Sequence, residues 1–77
     1  MSSIRSDLYW RIIELMIQAR KDAGITQAEL GQRIGQRQTF ISKVELGERR
    51  IDIAEFLEFC SALKIDYASL LKEAANK

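Results

Sequence analysis

Within residues 26–47, TQAELGQRIGQRQTFISKVELG, the apolar, small and polar positions fall where two short helices crossing at a sharp turn need them. Thr26 precedes an amphipathic run and Glu29 follows three residues later, a capping-box pattern that satisfies two backbone donors at a helix start. The first helix of the pair therefore begins at about Gln27. Ala28, Leu30 and Ile34 share one face by i, i+3/i+4 spacing, while Gln27, Gln32 and Arg33 occupy the others. Gly35 supplies a left-handed turn that ends this helix, and Gly31 sits at the crossing, where a bulky side chain would clash. In the second helix Ile41 and Val44 point inward. Arg37, Gln38, Thr39, Ser42 and Lys43 are left on a long outer face rich in hydrogen-bond donors.

No proline and no Ser/Gly-rich stretch marks a linker, and the rest of the chain reads as three further helices. Ser6 or Asp7 can cap helix 1, along which Leu8, Ile12, Leu15, Ala19 and Ala23 form one line before Gly24. Asp52 with Glu55 repeats the capping-box pattern for helix 4, where Ile53, Phe56, Leu57, Cys60 and Leu63 provide the core stripe. Asp66 caps the last helix, with Leu70 and Leu71 inward, and residues 73–77 are expected to fray beyond a core of about 8–72. Helix 1 carries more apolar surface than a small domain needs, because Tyr9, Trp10, Ile13, Met16 and Ile17 add to its stripe. Either the C-terminal helix wraps this surface, or Tyr9, Trp10 and Ile13 form a dimer seam with Tyr67 and Leu71.

Seventy-seven residues make one domain. A core of that size rarely supplies more than ~3–5 kcal/mol without a staple, a partner chain or unusually regular helices. With one cysteine no intrachain disulfide forms, and with no histidine a His-based triad, an imidazole base or a His-ligated metal site is excluded. The four glycines are dispersed and make no phosphate loop, so an enzyme is not expected, nor is a cofactor or a metal. Neither a signal-peptide apolar region nor a membrane span is present in the sequence, which points to a cytoplasmic protein with no membrane partner. Cys60 reads as a small core filler. The net charge is only +1, yet residues 31–50 carry five basic and two acidic side chains while residues 51–71 carry one basic and four acidic. The field is directed toward the segment holding the second helix of the pair, which suits a polyanionic partner.

The TQxEL opening, the glycine at the turn, the ISKVExGER closing and the SALKIDYASLL tail together resemble the Cro/CI-type (XRE-like) helix-turn-helix family of phage repressors and small bacterial regulators. The resemblance spans roughly Ile13 to Leu71. It implies an all-α fold: a five-helix, lambda-repressor-like DNA-binding domain with the helix-turn-helix at helices 2 and 3. It also implies a partly buried ion pair between Arg20 and Glu45.

By that resemblance helix 3 enters the major groove of double-stranded DNA, and the base-facing positions are Arg37, Gln38, Thr39, Ser42 and Lys43. Gln27 is the family's phosphate-contacting position, and Gln36, Arg49 and Arg50 lie where phosphate contacts are expected. Gln36-Arg37 is a poor helix cap, so Arg37 reaches either a base or a phosphate. Phe40 either packs toward the helix 3–4 loop or touches backbone sugars. The function implied is a sequence-specific transcriptional regulator, most simply a homodimeric repressor on a palindromic operator. An antitoxin that also binds a protein partner, or a restriction–modification controller protein, would use the same fold.

Overall fold

Five α-helices make up the computed structural model, which describes residues 3–76 and their side chains from residue 7 onward; no strand occurs among the described residues. They are α1 (Ser3–Asp22), α2 (Gln27–Ile34), α3 (Gln38–Glu45), α4 (Ile53–Leu63) and α5 (Tyr67–Ala75). The α2–α3 pair packs closely, α1 lies along α5, and both α1 and α2 lean on α4. Ile13, Leu30, Ile41, Val44, Phe59 and Cys60 are the fully buried centre of this arrangement.

Local chemistry accounts for most of the boundaries. The Thr26 hydroxyl accepts from the Glu29 N–H at 3.0 Å while the Glu29 carboxylate accepts from the Thr26 N–H at 2.9 Å, which starts α2 at Gln27. Gly35 ends it with φ 71°. The same reciprocal pair, Asp52 and Glu55, opens α4, and Asp66 caps α5 by accepting from the Ala68 N–H at 3.2 Å. Two arginines then close helix ends from outside. Arg33 donates to the Ala62 carbonyl at 2.9 Å near the end of α4, and Arg11 donates to the Ala74 carbonyl at 2.8 Å near the end of α5.

Several sequence expectations are corrected. α1 spans Ser3–Asp22, so Ser6 and Asp7 lie within the helix and not at its start. Its inward line is Ile13, Met16 and Arg20 rather than Leu8, Ile12, Leu15, Ala19 and Ala23, of which Leu8 and Ala23 are exposed. That difference is a rotation by one residue, about 100°. A helix apolar around most of its circumference gives periodicity no means of ranking one line above the next. Ala28 is likewise exposed, leaving Leu30 and Gly31 as the buried positions of α2. In α4 the buried line is Phe56, Phe59, Cys60 and Leu63, while Ile53 and Leu57 face outward. The segment expected to fray is helical as far as Ala75, because Ala74 is buried and its carbonyl has a donor from α1.

Candidate nucleic-acid interface

The crossing of α2 and α3 rests on a missing side chain. A Cβ placed on Gly31 would stand 2.7 Å from the Gln36 carbonyl oxygen, a backbone atom of the turn itself. Leu30, Ile41 and Val44, all buried, fill the space beneath the crossing. Arg20 then ties α1 to the end of α3. Its Nε and Nη2 donate to the two Glu45 carboxylate oxygens at 2.7 and 3.0 Å, and its Nη1 donates to the Ile25 carbonyl at 2.8 Å. Both side chains of this ion pair are 11 % exposed, so removing one partner leaves a largely desolvated charge, a change that typically costs ~3–5 kcal/mol.

With Ile41 and Val44 committed to the core, helical geometry sends Gln38, Thr39, Ser42 and Lys43 to the opposite side of α3. Gln38, Thr39 and Lys43 are exposed and Ser42 is half-buried. Arg37 occupies the N-cap with φ −80° and ψ 156°, and its side chain makes no capping bond, leaving the guanidinium exposed at the mouth of α3. Arg37, Thr39 and Lys43 line a shallow surface groove with Gln36 and Phe40. Among the described residues neither Arg37 nor Lys43 has an acidic ion-pair partner, since the ion pairs there are Arg20–Glu45 and Arg49–Glu55.

The flanking residues are more occupied than their sequence positions suggest. Arg49 lies 3.2 Å from the Glu55 carboxylate and over the Phe40 ring at 4.5 Å, and Arg50 stacks over the Tyr9 ring at 4.0 Å. Phe40 is half-buried and packs inward, its ring centroid 6.2 Å from that of Phe59. Arg49 holds the Glu55 carboxyl below its usual range by hydrogen bonding, with the Asp52 N–H adding to the effect. Gln27 is half-buried and joins two of the expected site residues: its Nε2 donates to Glu45 Oε1 at 2.9 Å, and its Oε1 accepts from Gln38 Nε2 at 3.1 Å. Sequence spacing gives no sign of this connection, since the three residues belong to different turns of two helices.

A helix-turn-helix family model matches residues 16–70, covering both helices of the crossing and most of the elements that support it. The chain belongs to the XRE-type helix-turn-helix family. It is similar to the solved structure of an XRE-family like protein from Pseudomonas syringae pv. tomato str. DC3000, at 40 % sequence identity and a TM-score of 0.91, over 96 % of this chain and 90 % of that one. No curated protein matches it. The XRE-type fold is a DNA-binding regulatory one.

Burial pushes the Cys60 thiol up to about 11, so it is protonated at neutral pH and is a packing group. Among the described residues no group of His, Cys, Asp or Glu is placed to hold a metal ion, and no helix is long and apolar enough to cross a membrane. The dimer-seam residues separate into two sets. Ile13 is 1 % exposed and belongs to the core of its own chain, which removes it from any seam. Trp10 faces Gly47, where a Cβ would sit 3.5 Å from its ring, and the Tyr9 hydroxyl accepts from the Ile51 N–H at 3.1 Å. Tyr67 is exposed and Leu71 half-buried.

Proposed function

We propose that this XRE-type protein is a sequence-specific double-stranded DNA-binding transcriptional regulator, acting as a homodimeric repressor on a palindromic operator. The observation that carries the reading is the outer face of α3. Gln38, Thr39, Ser42 and Lys43 stand together there beside an uncapped, exposed Arg37, on a helix whose tilt is set by a buried crossing and a buried ion pair. A rigid helix with such a face suits the major groove, where Gln complements adenine, Arg or Lys complements guanine, and the Thr methyl meets the thymine methyl. Gln27, Gln36, Arg49 and Arg50 surround it as phosphate contacts. Arg49 would share its charge between a phosphate and Glu55, and is therefore the weaker of the two arginines.

One such domain offers few contacts, so two copies on half-sites about one turn (~34 Å) apart are expected. Ile53, 70 % exposed, stands in a small, mainly apolar groove that Tyr9, Ile12, Ile51, Asp52, Phe56 and Leu71 also line, and we propose that a second copy packs there.

Selection of bound duplexes from a random pool, repeated at two salt concentrations, tests the reading. A palindromic consensus is the expected result, and Gln38→Ala should flatten discrimination at one base pair of each half-site at a cost of ~1–3 kcal/mol on the preferred sequence. Absence of any enriched sequence would remove DNA reading as the function.

A further inference from the structure

We infer that Tyr9, a residue of α1 outside the helix-turn-helix, is a positioning residue for phosphate binding, because it holds Arg50 in place before DNA arrives. The inference rests on the reading of Arg50 as a phosphate contact. The peptide unit joining Arg50 to Ile51 is held on both edges. Its carbonyl accepts from Arg49 Nη1 at 2.7 Å, and its N–H donates to the Tyr9 hydroxyl at 3.1 Å. The Arg50 side chain then lies over the ring of the same tyrosine, its guanidinium carbon 4.0 Å from the centroid. Trp10, the next residue of α1, stands against the start of this loop at Gly47, so α1 grips the loop at both ends.

The kind of contact matters. An aromatic face attracts the charge of a guanidinium but leaves its N–H groups, which point outward in the guanidinium plane, free to donate. Among the described residues no carboxylate pairs with Arg50, the ion pairs there being Arg20–Glu45 and Arg49–Glu55. Arg49 is the contrast, since its Nη1 and Nη2 each reach a Glu55 oxygen at 3.2 Å. To take a phosphate, Arg49 must give up a carboxylate, whereas Arg50 gives up nothing. A long side chain loses rotamer freedom when it is immobilised on a ligand, and for Arg50 part of that ordering is already complete in the folded protein.

Tyr9 also lines the groove proposed for pairing, so binding is measured on a duplex with one half-site, by fluorescence anisotropy at several salt concentrations. Thermal melting of each variant is recorded alongside. Arg50→Ala is expected to weaken binding and to reduce the salt slope by about one. Tyr9→Leu removes the ring and the hydroxyl but keeps an apolar side chain, and should weaken binding about two- to tenfold, the scale of ordering one long side chain. Tyr9→Met serves where Tyr9→Leu melts too low to measure. Tyr9→Phe keeps the ring and should recover most of the loss. In an Arg50→Ala background Tyr9→Leu should cost no further affinity, whereas a merely loosened loop would also displace Arg49 and weaken binding in either background. Equal losses with and without Arg50, or a Tyr9→Phe no better than Tyr9→Leu, would overturn the positioning role while Arg50 remains a phosphate contact. Tighter binding by Tyr9→Leu would overturn it too, since the ring would then be withholding Arg50. If Arg50→Ala binds as the wild type does, the phosphate contact itself fails and the positioning role fails with it.

Discussion

Gly31 is the position at which a single added carbon should do most harm to the site. The atom a Cβ would meet, 2.7 Å away, is a backbone oxygen of the turn and not the flexible end of a side chain, so the clash is relieved only by moving α2 and α3 apart. Gly31→Ala should therefore destabilise the domain by ~1–3 kcal/mol, the usual range for overpacking, measurable as a lower midpoint in urea. Affinity for DNA should fall with it, because the tilt of α3 changes. Gly31 and the Arg20–Glu45 pair could both be read from the sequence, one from its place at a helix crossing and the other from a family resemblance. The Gln27 connection could not. Its three members are separated by 11 and 18 residues, and only the packing of α2 against α3 brings their amides and carboxylate within hydrogen-bond reach.

At the scale of the element, α3 is the one helix of the site without a side-chain cap at its start. Arg37 stands where Ser, Thr, Asp or Asn would serve the helix better, and its side chain is exposed beside the groove instead. Arg37→Ser should raise stability by ~0.5–2 kcal/mol while weakening DNA binding, and denaturation and anisotropy on one preparation would show whether the two move in opposite directions. The α4 start has the opposite character, since Glu55 caps the helix and also holds Arg49. Its folded carboxyl titrates below the ordinary value of 4.5. Its contribution is therefore fully present above that value and is lost as pH falls through the lower, folded one. The melting temperature should decline as pH drops below about 4.5, and Glu55→Gln should flatten part of that decline. Helix starts set by Thr26, Asp52 and Asp66 were legible because a cap is a local bond between residues two or three apart. Helix rotations were not legible where apolar residues surround the helix. α1 and α4 each turn a face inward that competing lines in the sequence matched nearly as well, and in α1 the Arg20–Glu45 bond joins the helix to α3 and so holds its rotation.

For the whole molecule, the exposed apolar edge around Ile53 is the feature that a lone domain leaves unexplained. Ile53 begins α4 and is mostly solvent-exposed, so Ile53→Glu introduces no buried charge and suits a helix start. Sedimentation should show a smaller dimer fraction for Ile53→Glu than for the wild type at equal concentration, with a weaker bound complex on a two-half-site duplex and little change on a single half-site. A dimer of undiminished strength would move the seam elsewhere on the surface. The sequence alone determined five helices, the caps that start three of them, the glycine crossing and the polar face of α3, since these depend on residues within a few positions of one another. Tertiary structure decided the rest: which line of α1 and α4 is buried, that Ile13 is core and not seam, that Arg49 and Arg50 lie on aromatic rings, and that Glu45 reaches Gln38 through Gln27. These depend on how helices distant in sequence rotate and lean on one another, and that is set by the whole set of packed side chains at once.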